Sequence, residues 1–377
     1  MQNVKPLLLL LLFPSLLFAQ QLPVPQLPSI AAKSYLLTDF FSRQVLVGQN
    51  IDGRIEPASL TKLMTAYLTF TALKQKQITL EQTFTVSTRA WRAEGSRMFI
   101  EPDKPVKVDD LIRGMVVQSG NDACVTLAEG IAGSEQAFTQ MMNSEAQRLG
   151  MKNTHFTNST GLPNPQHYST AYDLSLLATA IIRDFPEYYP LYSIKEYKYH
   201  NISQLNRNRL LWTDPYVDGM KTGYTENAGY CLISTAKRGS RRLIAVALGT
   251  ASDNLRATES QKLLNYGFQF YDTLHLYAKG QAVTTITVWK GAGNSIKAGF
   301  AEDVYLSLPK GQSERLKATM ESQQPLIAPI STGQQIGVVK LTLDGKPVAE
   351  YPLIALENVE LANIMGRSWD SLRLLFN

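Results

Sequence analysis

The sequence predicts an α/β domain that is followed by a small all-β domain and a C-terminal amphipathic helix. Up to about residue 276, amphipathic helical segments such as 123–131, 135–149 and 174–184 alternate with strand-like segments, which is typical of an α/β core. Downstream, short strand-like segments with alternating polar and apolar residues dominate, and the last residues return to a helical pattern. At 377 residues, the chain is long enough for two folded domains.

The first residues have the features of a signal peptide. Lys5 supplies a positive charge, residues 7–18 form an apolar core, and Ala19 is a small residue at a cleavage position. This core is too short to predict a spanning helix. We therefore expect residues 1–19 to be a signal peptide and residues 20–33, which begin with a run rich in proline and glutamine, to be a linker.

A Ser-x-x-Lys motif, formed by Ser59 and Lys62, lies at the predicted start of a helix. A serine hydroxyl becomes a good nucleophile only when a base takes its proton, and lysine can be that base only when it is neutral. Three-residue spacing on a helix puts both side chains on one face. A capped helix with a surface lysine is the alternative, since the same pattern recurs at 234–237.

A second motif, Ser119-Gly120-Asn121, falls between two apolar helical segments. It is therefore predicted to lie on a turn between buried helices. Its hydroxyl and amide can relay a proton and hold a substrate amide. Plain helix capping would also favour serine and asparagine at this place.

The third motif, Lys221-Thr222-Gly223, precedes an apolar segment and so begins or lies on a strand. The lysine supplies a cation, the threonine supplies a hydroxyl, and the glycine lets a ligand approach the backbone. Together, the cation, the hydroxyl and the accessible backbone suit the binding of a substrate carboxylate. A solvated lysine at the start of an edge strand is the alternative.

In this order the three motifs resemble the signature of penicillin-interacting serine enzymes. The chain resembles a low-molecular-mass penicillin-binding protein of the D-alanyl-D-alanine carboxypeptidase type, and the resemblance covers essentially its whole length. Besides the motifs, it includes segments 160–163 and 167–174. It implies a β-lactamase/transpeptidase-like catalytic domain over 34–277, with an antiparallel sheet flanked by helices and a helical subdomain.

The resemblance also implies a role for each site residue. Ser59 would be the acylated nucleophile, Lys62 its general base, and Ser119 the group that relays a proton to the leaving D-alanine. The backbone N–H groups of Ser59 and Tyr224 would form the oxyanion hole. The residues implied to bind the peptide or its terminal carboxylate are Asn121, Lys221, Thr222, Gly223, Tyr224 and Arg256.

One position departs from the family pattern. Some relatives carry a histidine just before the Gly161-Leu162 pair, and this chain has Thr160 there, so no role of that histidine is carried over. His167 lies in a segment that resembles the family, but we expect it to be structural. With four histidines and no metal-ligand spacing, we expect neither a metal nor a cofactor.

The amino-acid composition limits the classes of partner that the protein is expected to bind. A formal net charge of +5 and a pI near 9.0 predict weak, salt-dependent attraction to anionic lipid and cell-wall polymer. No basic run interleaved with aromatic residues suggests nucleic acid. Cys124 and Cys231 both fall in predicted buried segments, which favours two free thiols over a disulfide, although the sequence does not exclude the disulfide.

Residues 278–357 predict the small β domain, with a hairpin turn at Asp344-Gly345, and we expect this domain to be a spacer. Residues 358–377 predict an amphipathic helix, which either docks on its own domain or lies in a membrane surface. Its place at the chain end and the resemblance both favour the membrane. Its apolar side consists of Leu361, Ile364, Met365, Trp369, Leu372, Leu375 and Phe376.

We therefore predict a serine D,D-carboxypeptidase that removes the terminal D-alanine from peptidoglycan pentapeptide stems ending in D-Ala-D-Ala, and that β-lactams trap as an ester of Ser59. It is expected in the periplasm, on the outer face of the cytoplasmic membrane. A D,D-endopeptidase and a non-catalytic penicillin-binding scaffold are alternatives. A β-lactamase is less favoured, because no Glu-x-x-x-Asn occurs between Asn121 and Lys221.

Overall fold

The computed structural model describes residues 25–375. The predicted signal peptide, the start of the predicted linker and Phe376 therefore lie outside the described residues. Within them, one set of hydrophobic clusters is formed mainly by residues before about 270, and a separate cluster is formed by buried residues of 286–359. The chain thus folds around an N-terminal and a C-terminal core.

The N-terminal domain combines a central sheet with helices on both sides. Its strands are β1 (Ser34–Asp39), β2 (Val45–Gln49), β3 (Thr83–Thr85), β4 (Pro105–Lys107), β5 (Glu196–Tyr199), β6 (Ile202–Leu205), β7 (Val217–Thr225), β8 (Gly229–Arg238) and β9 (Arg241–Thr250). Its helices are α1 (Lys62–Lys74), α2 (Thr88–Trp91), α3 (Val108–Val117), α4 (Asn121–Ala132), α5 (Glu135–Arg148), α6 (Ala171–Asp184), α7 (Leu210–Thr213) and α8 (Asp253–Phe270), with 3-10 turns at Ala58–Thr61 and Tyr189–Ser193.

The central sheet is antiparallel, with the strand order β2-β1-β9-β8-β7. Alternate residues of β9 enter different cores, as strand geometry requires. Leu243 and Ala245 lie in a core with α8. Ile244 and Val246 lie in the core that contains α1 and α6. The predicted antiparallel sheet flanked by helices is confirmed, and β7 forms one edge of it.

The C-terminal domain is built from short strands and ends in a helix. Its elements are β10 (Tyr271–Tyr277), β11 (Thr284–Thr287), β12 (Ser295–Gly299), β13 (Val304–Pro309), β14 (Leu316–Ser322), β15 (Gln335–Leu343), β16 (Lys346–Ala355) and α9 (Ile364–Arg373), with a 3-10 turn at Ser313–Arg315. One sheet has the order β11-β12-β16-β15-β14, and β10 pairs with β13. Asp344 and Gly345 both have positive φ, as the hairpin prediction requires.

The two domains meet where the β1–β2 turn contacts β13. Ser42 Oγ lies 2.7 Å from Ser307 Oγ, and the backbone N–H of Ser307 donates to Gln44 Oε1 at 2.6 Å. The hydroxyl of Thr273 in β10 donates to Asp39 at the end of β1. The C-terminal domain is therefore held at the β1–β2 side of the sheet, at the opposite edge from β7.

Helix α9 packs on the C-terminal domain with its polar side. Asp370 Oδ2 accepts from the backbone N–H of Lys290 at 2.6 Å, and the Arg373 guanidinium lies over the ring of Trp289. The apolar side faces outward, with Met365 81% and Trp369 63% exposed. Within residues 25–375, no helix combines the length and hydrophobicity that crossing a membrane requires.

Candidate active site

Ser59 lies in the 3-10 turn Ala58–Thr61, directly before α1, and not in the first turn of an α-helix as predicted. In a 3-10 turn, side chains three residues apart eclipse each other, so the turn brings the side chains of Ser59 and Lys62 together. The turn starts from Ala58, whose φ of 49° is in the left-handed region. Ser59 and Lys62 therefore lie close together as predicted, although the 3-10 turn is wound more tightly than the predicted α-helical turn.

Two glycines allow neighbouring segments to approach this turn closely. A Cβ on Gly161, which has φ of +86°, would lie 1.7 Å from the carbonyl oxygen of Ala58. A Cβ on Gly223 in β7 would lie 3.2 Å from the carbonyl oxygen of Pro57. The loop before residue 163 and strand β7 thus enclose the turn from both sides.

Lys62 is buried directly behind Ser59. Its Nζ lies 2.9 Å from Ser59 Oγ and donates to the carbonyl oxygen of Thr160 at 2.6 Å. Burial lowers the pKa of Lys62 from 10.5 to about 8, and the nearby Arg207 charge acts in the same direction. A substantial fraction of the amine is therefore neutral near pH 8 and able to accept a proton from Ser59.

A second lysine lies behind Ser119. Lys221 Nζ donates to Ser119 Oγ at 2.9 Å and to the carbonyl oxygen of Thr222 at 3.1 Å. Burial lowers the pKa of Lys221 well below its usual value, and the charge of Lys62 adds to this effect. Ser119 has φ of +71°, on the predicted turn between α3 and α4. Its hydroxyl is thus aligned by a buried amine and still borders the cavity.

Asn121 begins α4 and borders the same cavity. Its Nδ2 donates to the carbonyl oxygen of Glu94 at 2.5 Å, whereas its buried Oδ1 has no partner among the described residues. The neighbouring Asp122 carboxylate accepts backbone N–H groups from Met98 and Phe99, each at 2.9 Å. These contacts fix the loop at the mouth of the cavity and leave one amide oxygen available to a ligand N–H group.

Arg256 projects from α8 toward the end of β7. Its Nη1 donates to the carbonyl oxygen of Gly223 at 3.2 Å, and its Nη2 is paired with Asp253. The guanidinium lies 5.5 Å from the centre of the Tyr230 ring. With only 5% of Arg256 exposed, this charge is fixed next to the Lys-Thr-Gly motif.

A cavity of about 550 Å³ lies between these elements. Seven of the nine residues singled out from the sequence line it, namely Ser59, Ser119, Asn121, Thr222, Gly223, Tyr224 and Arg256. The other two, Lys62 and Lys221, lie behind the wall and contact Ser59 and Ser119. Sequence reasoning missed Arg207, which lines the cavity without belonging to any motif. Burial lowers its pKa.

His167, which was expected to be structural, does not line the cavity that Ser59 borders. It is buried, its Nε2 lies 2.8 Å from Thr61 Oγ1, and its Nδ1 accepts from the backbone N–H of Thr157 at 3.2 Å. Burial lowers its pKa to about 4, so it is neutral at pH 7 and ties the loop to the nucleophile turn. Cys124 and Cys231 are both buried and unbridged. No cluster suited to a metal ion occurs within residues 25–375.

This arrangement can carry out acyl transfer. It offers a serine with an adjacent lysine of lowered pKa, a second serine–lysine pair across the cavity, and an arginine at one end. Perturbed pKa values in a cleft are typical of catalytic groups. The cations of Arg207 and Arg256, with the Lys221 amine beside them, suit a substrate that ends in a carboxylate.

Two family models match the chain. The one described as D-alanyl-D-alanine carboxypeptidase matches residues 21–252, and the one described as Penicillin-binding protein 5, C-terminal domain, matches residues 271–361. Among curated proteins, the D-alanyl-D-alanine carboxypeptidase DacC of Escherichia coli (strain K12) is 41% identical over 376 residues, covering 98% of this chain and 94% of the relative.

Solved structures give the same result. Penicillin binding protein 5 from Haemophilus influenzae has a TM-score of 0.86 and 41% identity, and the match covers 88% of this chain and 98% of that one. Penicillin-Binding Protein D2 from Listeria monocytogenes, in its ampicillin bound form, has a TM-score of 0.60 and 30% identity, covering 65% of this chain and 99% of that one. The predicted fold class is therefore confirmed in both parts of the chain.

Proposed function

This chain belongs to the family of D-alanyl-D-alanine carboxypeptidases, which are serine-type hydrolases, and from that membership we propose how its own residues perform the reaction. Ser59 Oγ attacks the carbonyl carbon between the last two D-alanines of a stem peptide. Neutral Lys62 takes the hydroxyl proton, because its Nζ lies 2.9 Å from Ser59 Oγ. The backbone N–H groups of Ser59 and Tyr224 stabilise the oxyanion.

The C–N bond then breaks and D-alanine leaves. The departing nitrogen receives its proton from Ser119, whose hydroxyl is held by Lys221. The proton that Lys62 accepted from Ser59 replaces the one that Ser119 gave up, so both side chains return to their starting states. The penultimate D-alanine stays attached to Ser59 as an ester. Water hydrolyses this ester, which restores the serine hydroxyl and releases the shortened stem.

The cationic end of the cavity holds the terminal carboxylate. Lys221, Thr222 and Arg256 converge there, and Asn121 offers its free amide oxygen to a peptide N–H group. Penicillins carry a carboxylate and a strained amide, so they occupy the same positions and acylate Ser59. The observation that carries the proposal is the pair of serine–lysine contacts facing each other across one cavity.

The test is release of D-alanine from a synthetic peptide that ends in D-Ala-D-Ala. We expect the wild-type protein to release D-alanine and Ser59→Ala to release none, with a labelled penicillin attached covalently to the wild type alone. Release that persists in Ser59→Ala would contradict the assigned nucleophile. A penicillin adduct without D-alanine release would favour a penicillin-binding scaffold.

We also propose that α9 attaches the protein to the outer face of the cytoplasmic membrane, so that the enzyme works in the periplasm. The support is the orientation of the helix, since its polar residues contact the C-terminal domain and its large apolar residues face solvent. A helix that only docked on its own domain would bury that apolar side. The net charge of +5 adds weak attraction to anionic lipid.

A further inference from the structure

A groove between the two domains is separate from the catalytic cavity. Its volume is about 850 Å³, which is within the range of small-ligand sites, and such sites are frequent at domain interfaces. Lys74, the last residue of α1, lines the groove, whereas Lys62, its first residue, lies behind the cavity. Since an α-helix rises about 1.5 Å per residue, these two lysines lie about 18 Å apart along the helix axis. The groove is therefore a second space, at the opposite end of α1 from Ser59.

One wall of the groove is aromatic. Phe40 and Phe41, which follow β1, have ring centres 5.1 Å apart, and the ring of Phe41 lies 5.0 Å from that of Tyr305 in β13. All three rings are half-buried and line the groove. The C-terminal domain, which was expected to be a spacer, thus supplies part of this wall. A partly exposed aromatic face is apolar and slightly negative, which suits the C–H face of a sugar ring.

The C-terminal ends of α5 and α6 add hydrogen-bond donors that are already fixed in place. Arg183 donates to Asp184 through Nε at 2.6 Å and through Nη2 at 2.8 Å. Arg148 donates to Glu145 through Nε at 2.9 Å and to the Tyr67 hydroxyl through Nη2 at 2.8 Å. Nη1 of each arginine has no hydrogen-bond partner among the described residues, and the two side chains are 44% and 60% exposed. Each guanidinium therefore offers two N–H groups to a ligand.

The charges of the groove are balanced, which favours a neutral ligand over an anion. Both of these guanidinium groups are paired with a carboxylate, and a third pair, Arg43 with Glu302 at 3.2 Å, joins the two domains. Lys74 donates to the carbonyl oxygen at the end of α6 at 2.8 Å, where the helix dipole is negative, and the backbone N–H of Lys279 donates to Asp303 at 2.9 Å. Hydroxyl and acetamido oxygens can accept from the free N–H groups without needing an unpaired cation.

We propose that the groove between the domains binds a segment of the N-acetylated glycan that carries the stem peptides. Its sugar rings pack on Phe41 and Tyr305, and its oxygens accept from Arg148 and Arg183. The choice of this glycan rests on the proposed function, since an enzyme that trims stem peptides meets the glycan wherever it meets its substrate. The groove is a second attachment point, so it adds affinity for the polymer and takes no part in the chemistry.

The test measures binding of the full-length protein to insoluble glycan strands from which an amidase has removed the stem peptides, so that the catalytic cavity has no ligand. We expect the wild type to sediment with the strands at physiological salt. Arg183→Lys keeps the charge and removes the guanidinium fork, and Phe41→Leu keeps an apolar side chain and removes the aromatic face. Each should weaken binding about fivefold, the size of one ordinary hydrogen bond or aromatic contact. D-alanine release from a soluble peptide should not change.

Arg113→Lys is the matched control, because Arg113 pairs with Asp109 at 2.8 Å on α3 and does not line the groove. It should bind the strands like the wild type. Chitohexaose, a neutral chain of β-linked N-acetylglucosamine, should displace the protein from the strands. If either groove variant no longer reacts with labelled penicillin, Gln75→Ala, which removes an exposed amide from the groove lining, takes its place in the same assay.

Three results overturn the inference and leave the proposed function intact. They are a wild type that does not sediment, groove variants that bind as tightly as the wild type, and displacement by polyglutamate but not by chitohexaose. The sedimentation assay does not depend on turnover. Absence of D-alanine release from the soluble peptide by the wild type therefore overturns the proposed function separately.

Discussion

Lys62 and Lys221 are both buried next to serines, and two buried lysines in one site cannot both be charged without a large energetic cost. Lys62 keeps one contact to the Thr160 carbonyl oxygen and one to Ser59, so its environment tolerates the neutral amine. Lys221 faces the cavity end that also contains Arg207 and Arg256. A bound carboxylate there would restore the pKa of Lys221 toward its usual value, because opposite charges favour ionised forms.

The lowered pKa of Lys62 predicts the pH dependence of acylation. Below pH 8 the ammonium form dominates and cannot accept the Ser59 proton, so kcat/KM for D-alanine release should rise with pH and level off above about 8. The slope below this point should approach tenfold per pH unit. The measurement is kcat/KM between pH 5.5 and 9.5. A rate that is flat or falls over this range would contradict the role of Lys62 as the base.

For single residues, the sequence predicted which side chains lie close together wherever those residues belong to a motif. The residues Ser59, Lys62, Ser119 and Lys221 are brought together by the fold as the motif order implied. Arg207 could not be found this way, because its position depends on a loop. That loop is held by side-chain amides, with Asn206 Nδ2 donating to the carbonyl oxygen of Ile194 at 3.0 Å.

Among the elements, the turn that presents Ser59 depends on its neighbours for its shape. The Ala58–Thr61 turn begins in a strained conformation, and the loop at Gly161 lies against it. Gly161→Ala adds a Cβ at 1.7 Å from the Ala58 carbonyl oxygen. We expect it to lower the free energy of unfolding by about 3 kcal/mol and to slow penicillin acylation at least tenfold, since the loop and the turn must separate.

Gly133→Ala is the control for this experiment. Gly133 ends α4 with φ of +79°, close to that of Gly161, but a Cβ there would have no atom within 4 Å. Its effect should be about 1 kcal/mol, the cost of a left-handed alanine alone. Urea unfolding and penicillin labelling of both variants separate the cost of a left-handed alanine from the cost of the contact with Ala58. Equal effects of the two substitutions would show that the contact with Ala58 is unimportant.

The sequence pattern predicted which segments form strands, turns and helices, but it did not predict their local geometry. The strand carrying Lys-Thr-Gly, the turn between α3 and α4, and the β15–β16 hairpin were all predicted correctly. Helix α1 is buried on nearly every side, including Thr65 and Thr69, and an amphipathic pattern does not anticipate this. The hydroxyls of Thr65 and Thr69 donate hydrogen bonds to carbonyl oxygens at 2.6 and 2.8 Å. Polar residues therefore do not mark an exposed face of this helix.

For the whole molecule, the second domain lies away from the sheet edge that borders the cavity. The C-terminal domain is fixed at the β1–β2 side of the sheet, and the catalytic cavity lies along β7 at the other edge. Five strands spaced by about 4.8 Å put roughly 19 Å between these edges. A surface bound by α9 therefore does not need to contact the cavity.

Membrane attachment through α9 predicts a specific loss. Met365→Glu, on the apolar side of the helix, should weaken binding to vesicles that contain anionic phospholipid by about tenfold, because a charged group replaces an apolar contact. D-alanine release from a soluble peptide should stay the same. Met320→Glu, at an exposed methionine of β14, is the matched control and should bind like the wild type. Equal binding of the two variants would contradict the proposal.

At the largest scale, composition and periodicity predicted the order of an α/β part, a β part and a helix. Amphipathicity alone did not decide which side of α9 would face outward, because it gives the two sides but not their partners; the expectation of an outward apolar side came from the place of the helix at the chain end and from the resemblance. That orientation depends on contacts between distant residues, such as Asp370 with Lys290.

A protein held by the outward side of α9 searches for its substrate in two dimensions. Its encounter rate then depends on copies per unit area and on lateral diffusion, and no longer on concentration in the surrounding volume. Two variants with the same kcat/KM in a stirred solution would therefore differ in the cell if one lacked this anchorage. The detached variant would be diluted through the whole compartment, whereas the attached enzyme would repeatedly visit the newest wall material nearest the lipid.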